Sequence, residues 1–142
     1  MDTNHKLILF KDLSYQLQGA FYEARNKYGQ FHKEIIYHNA LKEIFDSKSI
    51  KYVSEPRIGI MSLMTDKKLG VYVPDFLIDN LIIIELKASP FTVKNMEMQT
   101  IEYLKSSQYE LAYLVNFGED KFRPKRYIHT KDKKSLNNNV IS

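Results

Sequence analysis

The sequence predicts a mixed α/β domain in which helices pack against the faces of a central mixed sheet. Apolar residues recur at helical spacing near the N terminus, and the pattern changes to strand-like alternation after residue 49. A helix-length segment then separates two later strands, as in a crossover unit with parallel strands. The predicted order is two helices, an antiparallel strand meander, a third helix and two strands, an α/β arrangement with α+β character.

Two amphipathic helices come first, over residues 12–28 and 31–45. Gly29 follows the first helix at the position of a C-cap. In the second helix, Glu34 lies one turn before Tyr37, where the apolar stripe begins, so its carboxylate is expected at the edge of the core. The predicted buried positions of the two helices are Leu13, Leu17, Ala20, Phe21, Ala24, Tyr28, Tyr37, Ala40, Leu41, Ile44 and Phe45.

Strand-like segments fill most of the remaining chain. They are predicted at about 50–54, 57–64, 69–79, 81–88, 110–116 and 122–129, with a third helix over 92–107. Polar residues at Asp66 to Lys68 and at Asp79-Asn80 suit two tight hairpin turns.

Length and composition limit what the chain can be. Its 142 residues form one domain, predicted over 1–130 and followed by a polar, flexible tail over 131–142. With 44% hydrophobic and 27% charged residues the composition is that of a soluble globular protein, and no apolar run is long enough for a membrane helix. The absence of cysteine excludes disulfides and thiolate chemistry, and the absence of a signal peptide favours the cytoplasm.

The net charge of +4 is unevenly distributed along the chain. From Lys121 onward there are seven Lys or Arg against one Asp, a net charge of +6, which leaves residues 1–120 at −2. The basic character therefore belongs to the C-terminal segment, and the acidic groups belong to the body of the domain.

Two charged residues interrupt the apolar strand predicted at 81–88. Glu85 and Lys87 are two residues apart, so both point to the same face of a strand whose start is apolar on both faces. Ionised groups in such surroundings are costly unless they are paired or hold a metal. A structural Glu–Lys ion pair without any metal is one explanation that the pattern allows.

A third charged residue lies opposite this pair. Asp75 and Glu85 stand five residues on either side of Asn80, so a hairpin centred there brings the two carboxylates across from one another. Like charges placed directly opposite are destabilising, and a cation between them explains the arrangement. Oxygen ligands without His or Cys suit Mg²⁺ or Mn²⁺. Lys87 then stands one strand step further, where an ammonium can orient water and offset charge on a phosphate.

These residues resemble a known motif. Pro74-Asp75, followed ten residues on by Glu85-Leu86-Lys87, resembles the PD-(D/E)xK signature of the restriction-endonuclease-like nucleases, and the rest is similar to the GxxExxY proteins of that superfamily. The matching segments are GQFHKEIIY at 29–37 with HNAL at 38–41, LIIIELKA at 81–88 beside the family's VIVELKA, QTIEYLK at 99–105 beside its Q..NYL helix, LVNFG at 114–118 beside its LINFG strand, and a basic close at Lys125-Arg126-Tyr127-Ile128.

The resemblance covers roughly residues 13 to 129, with two departures. Phe31 stands where the family has the glycine nearest the glutamate, which puts the shape of that turn in question. Val73 precedes the Pro-Asp pair where relatives often carry a basic residue, so no arginine role is expected there.

The resemblance implies a restriction-endonuclease-like core and a set of site residues. Glu34, Asp75 and Glu85 would hold one or two divalent ions, and Lys87 would serve the attacking water. Gln99 and Tyr103, one helical turn apart, could complete the wall of the site. Ordinary roles stay open: Glu34 as a carboxylate favoured at a helix N-terminus, and Gln99 and Tyr103 as packing and surface polarity.

The functional prediction is a Mg²⁺- or Mn²⁺-dependent nuclease whose partner is nucleic acid, with DNA favoured over RNA and no membrane. Arg123, Lys125 and Arg126 are the candidates for holding the phosphate backbone. A homodimer is plausible, because cutting two strands with single-site subunits requires two copies. The alternative is a catalytically silent module of the same fold that binds nucleic acid or a protein.

Histidine contributes little to the prediction. The four histidines show no metal-ligand spacing, and those near Glu34, His32 and His38, are expected on the helix surface.

Overall fold

The computed structural model describes the backbone of residues 3–131 and the side chains of residues 10–131. Three helices and seven strands follow in the predicted order. They are α1 (Thr3–Tyr28), α2 (Glu34–Ser47), β1 (Tyr52–Ser54), β2 (Ile58–Met61), β3 (Lys68–Tyr72), β4 (Phe76–Ile78), β5 (Ile82–Lys87), α3 (Lys94–Ser106), β6 (Leu111–Asn116) and β7 (Lys125–Ile128).

Five strands form one mixed sheet in the order β1-β4-β5-β6-β7. The β5–β6 pair is parallel, with α3 as its crossover, and the other neighbouring strands are antiparallel. Helices cover both faces, so the predicted mixed α/β class is confirmed. The central strand, β5, has Ile82, Ile83 and Ile84 fully buried, as expected for a strand covered on both sides.

The single strand predicted over 69–79 is wrong, because the chain breaks it in two. β3 ends at Tyr72 and β4 begins at Phe76, with Pro74 between them. Proline has no N–H to donate to a strand ladder, and here the chain changes partners at this point. β3 pairs with β2 in a separate two-stranded sheet, while β4 lies between β1 and β5. The loop joining β2 and β3 is also wider than the predicted tight turn, with the N–H of Ser62 donating to the carbonyl of Lys67.

The second predicted hairpin turn is confirmed. Asp79 and Asn80 both have positive φ, 50° and 56°, and the N–H of Leu81 donates to the carbonyl of Ile78 at 2.8 Å. Asp and Asn tolerate this left-handed conformation better than most residues, and two such residues form the turn that matches the twist of a hairpin. The turn therefore sets the register between β4 and β5.

The observed helices α1 and α2 begin at other residues than the sequence predicts. α1 begins at Thr3 rather than at residue 12, since neither Gly nor Pro occurs in the preceding segment to stop it. Its end is as predicted: Gly29, at φ 75°, donates its N–H to the carbonyl of Arg25. α2 begins at Glu34 rather than at Phe31, because Lys33 is still extended at φ −69° and ψ 154°.

Two buried clusters lie on opposite faces of the sheet. The first contains most of the predicted apolar positions of α1 and α2, packed on the side of β5 that carries Ile82, Ile84 and Leu86. The second lies on the other face, where Ile83 packs with Leu104 of α3 and with Tyr72 of β3. Side chains alternate along a strand, so Glu85 and Lys87 share the Ile83 face.

The edge strand β7 is attached to α3 through one carboxylate. Glu97 accepts a hydrogen bond from the hydroxyl of Tyr127 at 2.6 Å, and its oxygen lies 3.2 Å from the ammonium of Lys125. The Tyr127 hydrogen bond and the Lys125 charge lower the pKa of Glu97, against an opposing effect of burial. The ionised carboxylate is therefore favoured by folding.

We expect Glu97→Gln to lower the free energy of unfolding by about 1 kcal/mol at pH 7. Because the pKa of Glu97 is lowered in the folded state, this stability is present above the ordinary value of 4.5 and is lost as the pH falls through the folded pKa. Urea unfolding at pH 7 and pH 3 measures it, with exposed Glu102→Gln as the control. An equal loss at both pH values would contradict this account.

The C-terminal end of the described chain is bound to the domain. The ammonium of Lys131 donates to the carbonyls of Leu104 and Tyr109, at 3.0 and 2.8 Å, and its N–H donates to Glu110. Lys131 is where the predicted tail begins, and the rest of that tail, residues 132–142, lies outside the described residues. Among residues 3–131, no helix has both the length and the apolar content that crossing a bilayer requires.

Candidate metal and nuclease site

The hairpin of β4 and β5 brings Asp75 beside Glu85. Phe76 pairs with Ile84 across the two strands, so the next residues outward are Asp75 and Glu85. The N–H of Asp75 donates to a carboxylate oxygen of Glu85 at 3.2 Å, and the N–H of Leu86 donates to Oδ2 of Asp75 at 2.8 Å. Each carboxylate is thus held by the backbone of the opposite strand, and the two acidic groups lie together as the hairpin argument predicted.

The expected surface position of His38 is wrong. His38 is only 5% exposed, and its ring stacks on Phe76 with centroids 4.3 Å apart. Its Nδ1 lies 3.1 Å from Oδ1 of Asp75, and its Nε2 lies 2.8 Å from the hydroxyl of Ser54. An ionised carboxylate can only accept, so Nδ1 carries the hydrogen and donates to Asp75, while Nε2 accepts from Ser54.

A signal for this position was present in the sequence. His38 lies three residues before Leu41 and seven before Phe45, both in the predicted buried stripe of α2. Helical spacing therefore placed the ring against the core. The partner of the ring, 37 residues away in sequence, could not be read from that spacing.

His38 is expected to hold Asp75 in position for a bound ion. His38→Gln keeps a polar group toward Ser54 but loses the one toward Asp75, so we expect it to weaken Mn²⁺ binding about tenfold. His38→Asn, which keeps a donor near the position of Nδ1, should retain binding within a few-fold. Calorimetric titration with Mn²⁺ measures both, and equal affinities for the two variants at unchanged melting temperature would contradict this role.

Burial is the main reason that Glu85 has unusual proton affinity. Loss of water around its carboxylate, followed by the nearby charge of Asp75, raises the pKa of Glu85 to about 7. The nearby Tyr72 hydroxyl, the hydrogen bond from the N–H of Asp75 and the positive charge of Lys87 act in the opposite direction but do not cancel the increase. The charge of Glu85 is therefore incompletely neutralised by its protein neighbours.

Tyr72 and Tyr103 form the wall beside Glu85. Their rings are stacked at 3.8 Å between centroids, with an interplanar angle of 10°. The Tyr72 hydroxyl is buried and interacts with the Glu85 carboxylate, which contributes after burial to raising the pKa of Tyr72. The same hydroxyl meets no protein group of the described chain at full hydrogen-bond distance and angle. Tyr103 thus reaches the site through Tyr72, and Gln99, one turn earlier in α3, is exposed.

Glu34 faces the same carboxylates from α2. It is the first residue of the helix and is solvent-exposed, although partial loss of water and the charge of Asp75 raise its pKa. Lys87 and His38 act on it in the opposite direction. Its place at the helix N-terminus also satisfies the alternative explanation, in which the helix dipole favours a carboxylate there.

The donor set is suited to a hard divalent cation. Asp75 and Glu85 supply adjoining carboxylate oxygens, and Mg²⁺ is commonly held by one or two carboxylates with water and substrate phosphate as further ligands. No three His, Asp or Glu side chains within residues 10–131 are already arranged as a complete metal-binding group. The pair Asp75 and Glu85 therefore fits the ion, and the part of Glu34 as a further ligand stays a prediction.

Two of the predicted phosphate-binding residues, Lys125 and Arg126, lie on β7, and Arg123 lies just before it. Lys125 pairs with Leu114 across the sheet, and Leu114 with Glu85, so Lys125 is level with Glu85 and two strands away, about 10 Å. Its ammonium is already paired with Glu97. Arg123 and Arg126 are exposed.

The fold and the site together define a class of protein. A mixed sheet whose central hairpin presents an Asp after a proline, and then Glu-x-Lys on the next strand, is the restriction-endonuclease-like arrangement. The family model described as the PD-(D/E)XK nuclease superfamily matches residues 11–128, and this chain belongs to that superfamily. No curated protein and no solved structure matches the chain significantly. The finer resemblance to the GxxExxY proteins stays a prediction.

Proposed function

We propose that this protein is a Mg²⁺- or Mn²⁺-dependent nuclease that hydrolyses phosphodiester bonds in nucleic acid. The observation that carries the proposal is the contact of Asp75 with Glu85 on a hairpin that presents Lys87 on the same face. The incompletely neutralised charge of Glu85 supports a cation at this place. Membership of the nuclease superfamily supports the reaction class.

Each residue of the site has a proposed part in hydrolysis. Asp75 and Glu85 would hold the cation, whose chemistry is to polarise a phosphate oxygen and acidify water. Lys87 orients the attacking water and offsets negative charge that develops on the phosphate. Glu34 would contribute a carboxylate from the N-terminus of α2, where the charges of Asp75 and Lys87 both act on it. His38 keeps Asp75 in place through its Nδ1–H.

The remaining predicted residues have weaker support. Arg123 and Arg126 stay candidates for the phosphate backbone because they are exposed, and Lys125 is a poorer one because Glu97 already pairs with it. Tyr103 supports the position of Tyr72 by stacking. A role of Gln99 in the wall of the site stays a prediction.

The direct test is cleavage of labelled single-stranded DNA, duplex DNA and RNA by the purified protein with Mg²⁺, Mn²⁺ or EDTA. We expect metal-dependent cutting, with DNA favoured over RNA. The absence of cutting on every substrate would contradict the proposal.

A silent binding module is the second candidate, and one observation favours it. Arg123 and Arg126 are exposed and offer phosphate-binding groups that do not depend on an ion at Asp75 and Glu85. Salt-dependent binding of nucleic acid without any turnover would identify this function.

Assembly and location stay predictions. A homodimer would supply the two copies of the site that cutting both strands requires, and light scattering of the purified protein tests it. The cytoplasmic location is likewise predicted from the sequence alone.

A further inference from the structure

Two phenylalanines project into solvent from the loops beside the candidate site. Phe31 is 92% exposed and Phe91 is 77% exposed, whereas the other six phenylalanines are buried or half-buried. Phe31 lies three residues before Glu34, and Phe91 lies four residues after Lys87, so neither Cα can be more than about 14 Å from that of its site residue. Exposed aromatic rings within this range of a polar site are available to stack on a ligand bound there.

The loop that carries Phe31 is held in place by Tyr37. The hydroxyl of Tyr37 donates to the carbonyl of Gly29 and accepts from the N–H of His32. Its ring stacks on Phe117, with centroids 4.3 Å apart and an interplanar angle of 4°. Phe31 is therefore exposed on a fixed loop.

The loop that carries Phe91 is held by Asn116. The side-chain oxygen of Asn116 accepts from the N–H of Ser89 at 3.0 Å, and its nitrogen donates to the hydroxyl of Thr92 at 3.0 Å. Gly118 packs against the same loop so closely that a Cβ there would lie 2.5 Å from the carbonyl oxygen of Ser89. Position 118 therefore requires glycine, because any side chain there would collide with the backbone of Ser89.

Both loops are thus attached to one short segment, residues 116–118, at the end of β6. The N–H of Phe117 in this segment donates to the carbonyl of Lys87 at 2.8 Å. The two loops and the end of β5 are consequently held together through this segment. Lys33 and Lys94, each within three residues of one of the rings in sequence, are exposed and supply positive charge beside them.

Resting on the nuclease function proposed above, we infer that the substrate is nucleic acid with unpaired bases at the site, and that these bases stack on Phe31 and Phe91. Aromatic platforms beside basic residues are the usual means of binding single strands, since every base offers a flat face and the phosphates meet the lysines. In a continuous duplex those faces are covered by neighbouring base pairs. The substrate class is therefore a single strand, or the single-stranded part of an overhang or flap.

Binding in EDTA tests this inference without cutting. Fluorescence anisotropy compares labelled oligothymidylate, an abasic oligomer of equal length and a blunt duplex, with an RNA strand to separate the two nucleic acids. We expect Phe31→Ala and Phe91→Ala each to weaken binding of the single strand about tenfold. Binding of the abasic oligomer should be weak and unchanged by either variant.

Tyr15→Ala is the matched control. Tyr15 is 81% exposed, but it lines a groove with Lys48 at the C-terminal end of α2, the end opposite Glu34. The Tyr15→Ala variant should bind single strands with the same affinity as the unmodified protein. Since all three rings are exposed, the substitutions should leave the fold intact, which the melting temperature checks.

The outcomes separate this inference from the nuclease proposal. Equal binding of the natural and abasic oligomers, or equal binding by the two phenylalanine variants and the unmodified protein, would overturn the inference even if metal-dependent cutting of duplex is found. Base-dependent binding that requires Phe31 and Phe91, without cutting of any strand, would support base stacking on the two rings and contradict the proposed nuclease function. If binding depends neither on the bases nor on the two phenylalanines, the exposed rings would fit a protein partner instead.

Discussion

Replacing Lys87 with alanine is expected to lower the rate of metal-dependent cleavage by about 100-fold or more. Lys87 shares the face of β5 with Glu85 and acts electrostatically on both Glu85 and Glu34. Without its ammonium, the charge developing on the phosphate would lose a positioned positive group, an effect that commonly costs two to three orders of magnitude. Asp75→Asn should have a similar effect, because the variant loses a charged ligand while keeping its shape.

Lys11→Ala and Asp12→Asn are suitable controls for this pair of substitutions. Both residues are exposed on α1 and have the same charges as the residues tested. Initial rates with saturating Mn²⁺, and melting temperatures for all four variants, make the comparison. Unchanged cutting by Lys87→Ala or Asp75→Asn would show that the activity belongs to another site or to a contaminant.

Glu85→Gln is expected to make the metal-free protein more stable while abolishing cleavage. The carboxylate is half-buried beside Asp75, and its amide analogue can still accept the hydrogen bond from the N–H of Asp75. Removing the charge should raise the free energy of unfolding by about 2 kcal/mol at pH 8, or the melting temperature by about 5–10 °C. Sites that keep unfavourable charges for function commonly lower stability in this way.

The pH dependence of this effect has a definite sign. Because the pKa of Glu85 is raised from 4.5 to about 7 in the folded protein, folding favours the protonated form. The stability of the metal-free protein should therefore fall as the pH rises from about 4.5 to about 7 through this group. Glu85→Gln should lack that fall, so its advantage is full at pH 8 and absent below pH 4.5.

Thermal unfolding in EDTA over this pH range measures the difference, with the exposed Glu43→Gln as the control. Adding Mn²⁺ should stabilise the unmodified protein but not Glu85→Gln, since binding to the folded state alone shifts the equilibrium toward it. A loss of stability in Glu85→Gln at pH 8 would support the alternative of a structural Glu–Lys pair without metal.

Much of the site was predictable because its parts are close together in sequence. Asp75 and Glu85 flank a hairpin whose turn spans residues 79–81, and the chemistry of Asp79 and Asn80 favours that turn, so counting residues gave the register. Strand alternation then placed Lys87 on the face of Glu85. These relations depend on local backbone geometry, which short patterns in a sequence report well.

Other parts of the site depend on contacts between distant segments. His38 was expected on the helix surface, yet it is buried, and its hydrogen bond to Asp75 joins α2 to the segment just before β4. Tyr72 entered no prediction, because the strand containing it was expected to continue through Pro74. Once the chain changes partners there, β3 crosses to the other sheet and its Tyr72 packs between Glu85 and Tyr103.

The basic residues also show the difference between what the sequence reports and what the fold decides. The basic residues after residue 120 could be counted, and Arg123, Lys125 and Arg126 were expected to contact phosphate, with Lys131 in a flexible tail. In the folded chain Lys125 pairs with Glu97, and the ammonium of Lys131 donates to the carbonyl of Leu104 in α3. A count of charges records which groups exist, whereas their availability depends on which opposite charges and carbonyls the fold brings near them.

For this protein, the amino-acid pattern alone predicted the α/β class, the order of elements and the Asp75–Glu85 hairpin, and it carried the resemblance to the nuclease superfamily. Tertiary structure decided the burial of His38, the second sheet, the environment of Glu85 and the exposure of Phe31 and Phe91 on fixed loops. The physical reason is that backbone periodicity and turn chemistry act over a few neighbouring residues. Burial, proton affinity and side-chain pairing depend on segments that meet only after the whole domain has folded.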